Sequence, residues 1–147
     1  MLAYRLPREP SNPRVVMWRK LRRLGAVQLV DSLVALPSDA RTREQLDWLA
    51  DEVTEAGGEA TVWLARAGSA AQERALARRM ADTVAEDYRA VVDEAAGATS
   101  ARTLARLRRE LHRIAQRDHF PPPERQAAQA AVRGLAGRLA ADQATSR

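Results

Sequence analysis

Short alternating stretches come first along this chain, and helical spacing takes over afterwards. Leu2 to Leu6 (LAYRL) alternates and stops before Pro7, which predicts a first strand. Asn12 followed by Pro13 marks a helix start, a capping side chain and then a proline at the first helical position. Val16, Met17, Leu21 and Leu24 then recur on one face, and Gly25 ends the run. Ala26 to Pro37 (AVQLVDSLVALP) alternates Val and Leu and breaks near Asp31 and Ser32, as a hairpin would. Ser38 or Asp39 caps a second helix whose apolar positions are Leu46, Leu49, Ala50, Val53 and Ala56, and Gly57 and Gly58 stop it. Glu59 to Ala67 (EATVWLARA) predicts a last strand, with Thr61, Trp63 and Ala65 on one face and Val62 and Leu64 on the other.

Strand, helix, hairpin, helix, strand is the split βαβ plan of a ferredoxin-like fold. It predicts a four-stranded antiparallel sheet with both helices on one face. The other face then needs a cover, from the remaining chain or from a second copy. Beyond Gly68 only helical spacing is present. Leu76, Met80, Val84, Tyr88 and Val91 step through one long helix that Gly97 breaks. Thr99 or Ser100 caps the next, with Leu104, Leu107, Leu111 and Ile114 as its stripe. His119 to Pro123 (HFPPP) is a rigid turn, because proline cannot continue a helix. Val132, Leu135 and Leu139 mark a final helix. The fold class predicted is α+β, with a ferredoxin-like domain over 1–67, a helical extension packed on it over 68–141 and a flexible tail over 142–147.

Composition adds exclusions. Hydrophobic residues make up 46% of the 147 residues but aromatic ones only 4%, so Ala and Leu carry the burial, which favours helices. No apolar run approaches the roughly 20 residues of a membrane span. The N-terminus has no charged start followed by a long apolar stretch, so a secretory signal is not expected. Cysteine is absent, which removes disulfides, thiolate metal sites and thiol nucleophiles and fits a cytoplasmic protein. Two histidines, His112 and His119, are too few for most metal sites even with Glu110 and Asp118 beside them. No Ser-His-Asp set, phosphate-binding glycine loop or zinc spacing is present, so no enzymatic activity and no cofactor are expected.

Charge is segregated. Net charge is +5, and every basic residue but Lys20 is Arg. Five positive side chains and no acid lie between Arg14 and Arg23: Arg14, Arg19, Lys20, Arg22 and Arg23. Arg19, Arg22 and Arg23 share a helix face and could neutralise phosphates; a solvated face is the plainer alternative. Arg102, Arg106, Arg109, Arg113 and Arg117 form a second row at steps of three and four, with Arg108 nearby. That row is either an anion or DNA surface or is offset by acids of the preceding helix, such as Glu86, Asp87 and Glu94. Trp18, Trp48 and Trp63 are expected in the core or at an interface, Trp48 at a dimer contact because it lies off its helix's apolar stripe.

The run VVMWRKLRRLGAVQLVDSLVALP, followed by LDWLADEVTEAGGEATVWLA, resembles the N-terminal domain of the chromate-resistance regulator ChrB. The matching pieces are Trp18 to Ala26, Ala35 to Pro37 and Ala56 to Trp63, then Asp87 and Tyr88, then the Leu-Arg-Arg-Glu-Leu helix leading to Asp118 to Pro121. Together they span roughly Ala3 to Leu139. The resemblance implies a regulator of bacterial chromate-resistance loci, with DNA and oxyanion signalling as its themes. Full-length members carry a second, C-terminal domain, and this chain ends where that domain would begin; in an interaction-module reading, a separately encoded protein of that C-terminal type is the partner. The first half also looks like the ferredoxin-like domain of phenylacetate-type repressors and of the small CRISPR integration subunit. A metal nuclease of the latter kind would need an acid after the first strand, where this chain has Leu6-Pro7-Arg8; Asp31 lies elsewhere, in the hairpin. The expectation is a homodimeric, non-enzymatic regulatory protein that contacts DNA through Arg-rich helices, or else an interaction module that does not touch DNA.

Overall fold

The computed structural model describes residues 1–146. The chain falls into two compact units, Met1–Ala77 and Arg78–Arg147. The first holds β1 (Leu2–Arg5), α1 (Asn12–Leu24), β2 (Val27–Val30), β3 (Leu33–Ala35), α2 (Ala40–Glu55) and β4 (Glu59–Val62). The division lies within α3 (Ala70–Gly97), and α4 (Ala101–Gln116) and α5 (Glu124–Thr145) complete the second unit.

The sheet order is β2-β3-β1-β4, and every pairing is antiparallel. This is the predicted ferredoxin-like arrangement. Leu2 stands opposite both Val34 and Val62, so the three side chains share one face of the sheet. Met17 and Leu21 of α1 and Leu46, Leu49 and Val53 of α2 close over Leu2 and Val34 as one core. Both helices therefore cover the same face.

Local chemistry accounts for most boundaries. Gly25 takes a left-handed φ of 76° at the end of α1, where its N–H bonds back to the Arg22 carbonyl at 3.1 Å. Ser32 takes φ 66° in the tight turn between β2 and β3. Asp39 caps α2: its carboxylate accepts from the Thr42 N–H at 2.8 Å while the Thr42 hydroxyl accepts from the Asp39 N–H at 3.2 Å. That hydroxyl also donates to the Pro37 carbonyl at 2.5 Å, so the buried Thr42 side chain is satisfied. Ser100 caps α4 through the Thr103 N–H.

Three sequence expectations change. The cap of α1 is Ser11, not Asn12, and no side-chain bond closes it; Asn12 is already helical and Pro13 sits in the first turn. Val16 does not face inward: it is exposed at the mouth of a shallow depression with Leu6, Pro13 and Ala56. β4 stops at Val62, well short of Ala67, because among the described residues its only partner is the four-residue β1; Trp63 exchanges two backbone bonds with Met1, where that ladder ends. The last helix is assigned through Thr145, and Arg147 lies outside the described residues.

In the second unit, Val84, Tyr88, Val91 and Ala95 of α3 pack against Leu107 and Ile114 of α4 and against Ala128, Val132 and Leu135 of α5. Arg138 donates to the Ala95 carbonyl at 2.8 Å and so satisfies a carbonyl in the last turn of α3. No helix among the described residues is long and apolar enough to cross a membrane.

Candidate nucleic-acid interface

On α1, Met17 and Leu21 fix which face is buried, and the arginines follow from that. Arg14, Arg19, Arg22 and Arg23 are all exposed on the remaining surface. No acid lies within the helix. Among the described residues, none of these four guanidinium groups makes an ion pair or a side-chain hydrogen bond. Arg14 reaches far enough toward the sheet for its charge to act on Tyr4, opposing the rise that burial imposes on that phenol's pKa. Lys20 differs from the other four. Its ammonium bonds to Glu52 of α2 at 2.5 Å, half-buried, so it ties the two helices together rather than facing outward.

The exposed face of α1 is not purely charged. Val15 and Trp18 stand among the arginines, with Trp18 43% exposed. Positions 15, 18, 19 and 22 are spaced i, i+3, i+4, i+7, so Val15, Trp18, Arg19 and Arg22 form one stripe. Such a stripe offers guanidinium groups to phosphates and an aromatic plane for stacking. None of the three tryptophans is in the core; Trp48 is 62% exposed on α2 and Trp63 is 55% exposed after β4. Aromatic content alone could not show this, because Ala, Leu and Val fill the core that tryptophan would otherwise occupy.

The row on α4 has different surroundings. Leu107 and Ile114 are buried, which turns Arg102, Arg106, Arg109 and Arg113 outward. Arg106 is ion-paired to Glu94 of α3, and Arg117, just past the helix, bonds to Asp87 of α3 at 2.7 Å. Arg113 pairs with Glu110 at 3.2 Å. Arg102, Arg108 and Arg109 make no ion pair among the described residues. Two of the α3 acids named from sequence, Asp87 and Glu94, thus neutralise part of the row. What it presents to solvent is a weaker field than the sequence suggests.

One polar cluster escaped the sequence reading. Tyr88, 1% exposed, donates its hydroxyl to Asp118 Oδ2 at 2.9 Å. The Asp118 side chain is fully buried, Arg125 approaches the same oxygen at 3.6 Å, and Oδ1 has no hydrogen-bond partner. Burial and the adjacent carboxylate push the Tyr88 phenol up to about 12. Close by, Arg89 bonds to Glu124 at 3.0 Å; the Glu124 carboxyl lies below its usual range, held first by its own backbone N–H at the start of α5 and then by Arg89. No group of three or more metal-ligating side chains occurs among the described residues. The Tyr88–Asp118 contact joins residues thirty positions apart, and only their separate appearance in the resemblance pointed to them.

A family model described as "Protein ChrB, N-terminal" matches residues 14–100, more than half of the chain. No curated protein and no solved structure matches it.

Proposed function

The chain belongs to the ChrB N-terminal family, and from that premise we propose that it is a regulatory protein that contacts DNA through the outer face of α1. The observation that carries this reading is the set of unpaired, exposed arginines Arg14, Arg19, Arg22 and Arg23 on a helix without an acid. Guanidinium groups that form no internal ion pairs remain free to displace counterions from a phosphate backbone, which gives salt-dependent and weakly sequence-selective binding. Arg102 and Arg109 on α4 are secondary candidates, since their neighbours Arg106 and Arg113 are already paired. Lys20 is withdrawn from the set by Glu52. No catalytic step and no cofactor enter this reading, and the cytoplasm is the compartment it requires.

The test is a gel-shift titration with duplex DNA over a salt series, comparing the parent with R19A/R22A/R23A. Loss of three phosphate contacts should flatten the log K against log salt slope by about 0.9 per contact. Sequence preference should change little. An unchanged slope moves the site away from α1.

A second reading has its own support. Exposed Trp18 and Trp48 on the two helices of the same layer suit a protein partner, including a separately encoded C-terminal-type protein. Absence of DNA affinity even at low salt would favour it.

A further inference from the structure

α1 and α2 lie side by side over the sheet, and their outer faces carry opposite charge. Between Asn12 and Leu24, α1 has five basic residues and no acid. The outer face of α2 carries Glu44, Asp47, Asp51 and Glu55 around the exposed Trp48, all on steps of three and four, with exposed Arg41 and Arg43 confined to its first turn. Only Asp47 of these acids is ion-paired among the described residues, with Arg43 at 4.0 Å. Each face thus has one exposed tryptophan and a single dominant sign of charge.

We propose that these two faces dock on each other between two copies of the chain, so that self-association and phosphate binding compete for the α1 arginines. The first half of this statement stands on charge complementarity alone; the competition rests on the DNA reading above.

Symmetry fixes the arrangement. In a two-fold dimer the same patch must serve on both sides. An axis crossing the helices would set α1 on α1 and α2 on α2, like charge on like charge. An axis running along them sets each α1 on the partner's α2, twice. Such an axis preserves the level of residues along the helices. Within one copy Lys20 bonds to Glu52, and Val16 and Ala56 line the same depression, so the two helices run antiparallel with those residues level. Arg19 and Arg22 of one copy then meet the Asp51 and Glu55 side of α2 in the other. Trp48 comes level with Arg23, where a guanidinium can lie over the indole face.

The experiment uses two variants of the full chain, R19E/R22E and D51R/E55R, followed by sedimentation at low salt. The parent should dimerise, and added salt should weaken the dimer because the contacts are exposed charges. Each variant alone should associate at least tenfold more weakly. Mixed one to one, the two should recover a dimer, since both contacts then pair opposite charges; recovery also shows that both variants fold. A parent that stays monomeric at hundreds of micromolar, or variants that dimerise as the parent does, would overturn the docking. A second route needs no charge reversal. The described chain has no cysteine, so R22C mixed with D51C should give a disulfide-linked heterodimer under mild oxidation, and failure to form it counts against the geometry. For the competition, duplex DNA added to the parent should convert dimer into monomer–DNA complex. Dimer that binds DNA intact refutes the competition. If DNA does not bind while the variants behave as described, the docking stands and the phosphate reading of α1 has failed.

Discussion

Replacing Tyr88 with Phe removes one hydroxyl from the core of the second unit and nothing else. That hydroxyl is the closest donor to Asp118, at 2.9 Å, while Arg125 stands off at 3.6 Å. The carboxylate is fully buried and one of its oxygens already lacks a hydrogen bond, so no water-exposed edge can take over the lost contact. Hydrogen bonds to charged groups contribute about 1.5–3 kcal/mol, and a carboxylate left under-satisfied lies at the upper part of that range. Y88F should therefore cost roughly 2 kcal/mol or more in urea unfolding at pH 7, with an unchanged m-value. A double-mutant cycle with D118A should assign most of that cost to the pair. The alkaline limb gives an independent check. The phenol is held up to about 12 in the folded state against an ordinary tyrosine value of about 10, so its contribution is fully present below pH 10 and is lost as pH rises towards 12. The parent should lose stability across that window, and Y88F should lose less. A Y88F cost below about 0.5 kcal/mol would refute the reasoning, because it would mean the carboxylate is satisfied without Tyr88.

Two further predictions concern the first unit. D39A removes the carboxylate that caps α2, and with it the contact to the Thr42 N–H, and should cost about 1 kcal/mol in the same assay. G58A places a methyl group against the Arg5 carbonyl oxygen and the Val53 side chain, between β1 and α2; thermal unfolding should show a loss of about 1–3 kcal/mol, and a neutral result would mean that the β4 entry can shift.

Features fixed by neighbouring residues were readable from the sequence. Gly25 ends α1 because only a residue free to take a positive φ closes that turn, and a cap at Ser38 or Asp39 marked the start of α2, where Asp39 takes it. The sheet order followed from the spacing of elements, since the split βαβ plan leaves few ways to bury Leu2 and Val34 under two helices. Features fixed by distant residues were not readable. The extent of β4 depends on how long β1 is, not on the alternation of EATVWLARA itself. The exposure of Trp18, Trp48 and Trp63 depends on smaller residues filling the core first. Asp118 stood out in the sequence only beside the two histidines and as the start of the Asp118 to Pro121 turn, and only the packing of α3 against the segment after α4 buries it beneath Tyr88.

The two arginine rows show why count and periodicity cannot rank candidate sites. The row on α4 is longer and more regular in sequence, yet it lies beside α3, whose Asp87 and Glu94 reach it. The cluster on α1 is shorter, and its neighbour α2 is just as acidic, but among the described residues only Glu52 of that helix's acids pairs with it, through Lys20. Glu44, Asp51 and Glu55 are exposed away from the shared flank. Among the described residues, the α1 arginines are consequently left without ion pairs within the first unit, while an acidic surface lies on the same unit. A basic face and an acidic face held apart by one rigid layer are what the two proposals use, a polyanion on the first or a second copy on both. Exposed ion pairs contribute little to stability, usually below about 1 kcal/mol each, so retaining both faces unpaired costs the fold little. What they change is the set of partners the layer can recognise, and that is where the two proposals for this chain meet.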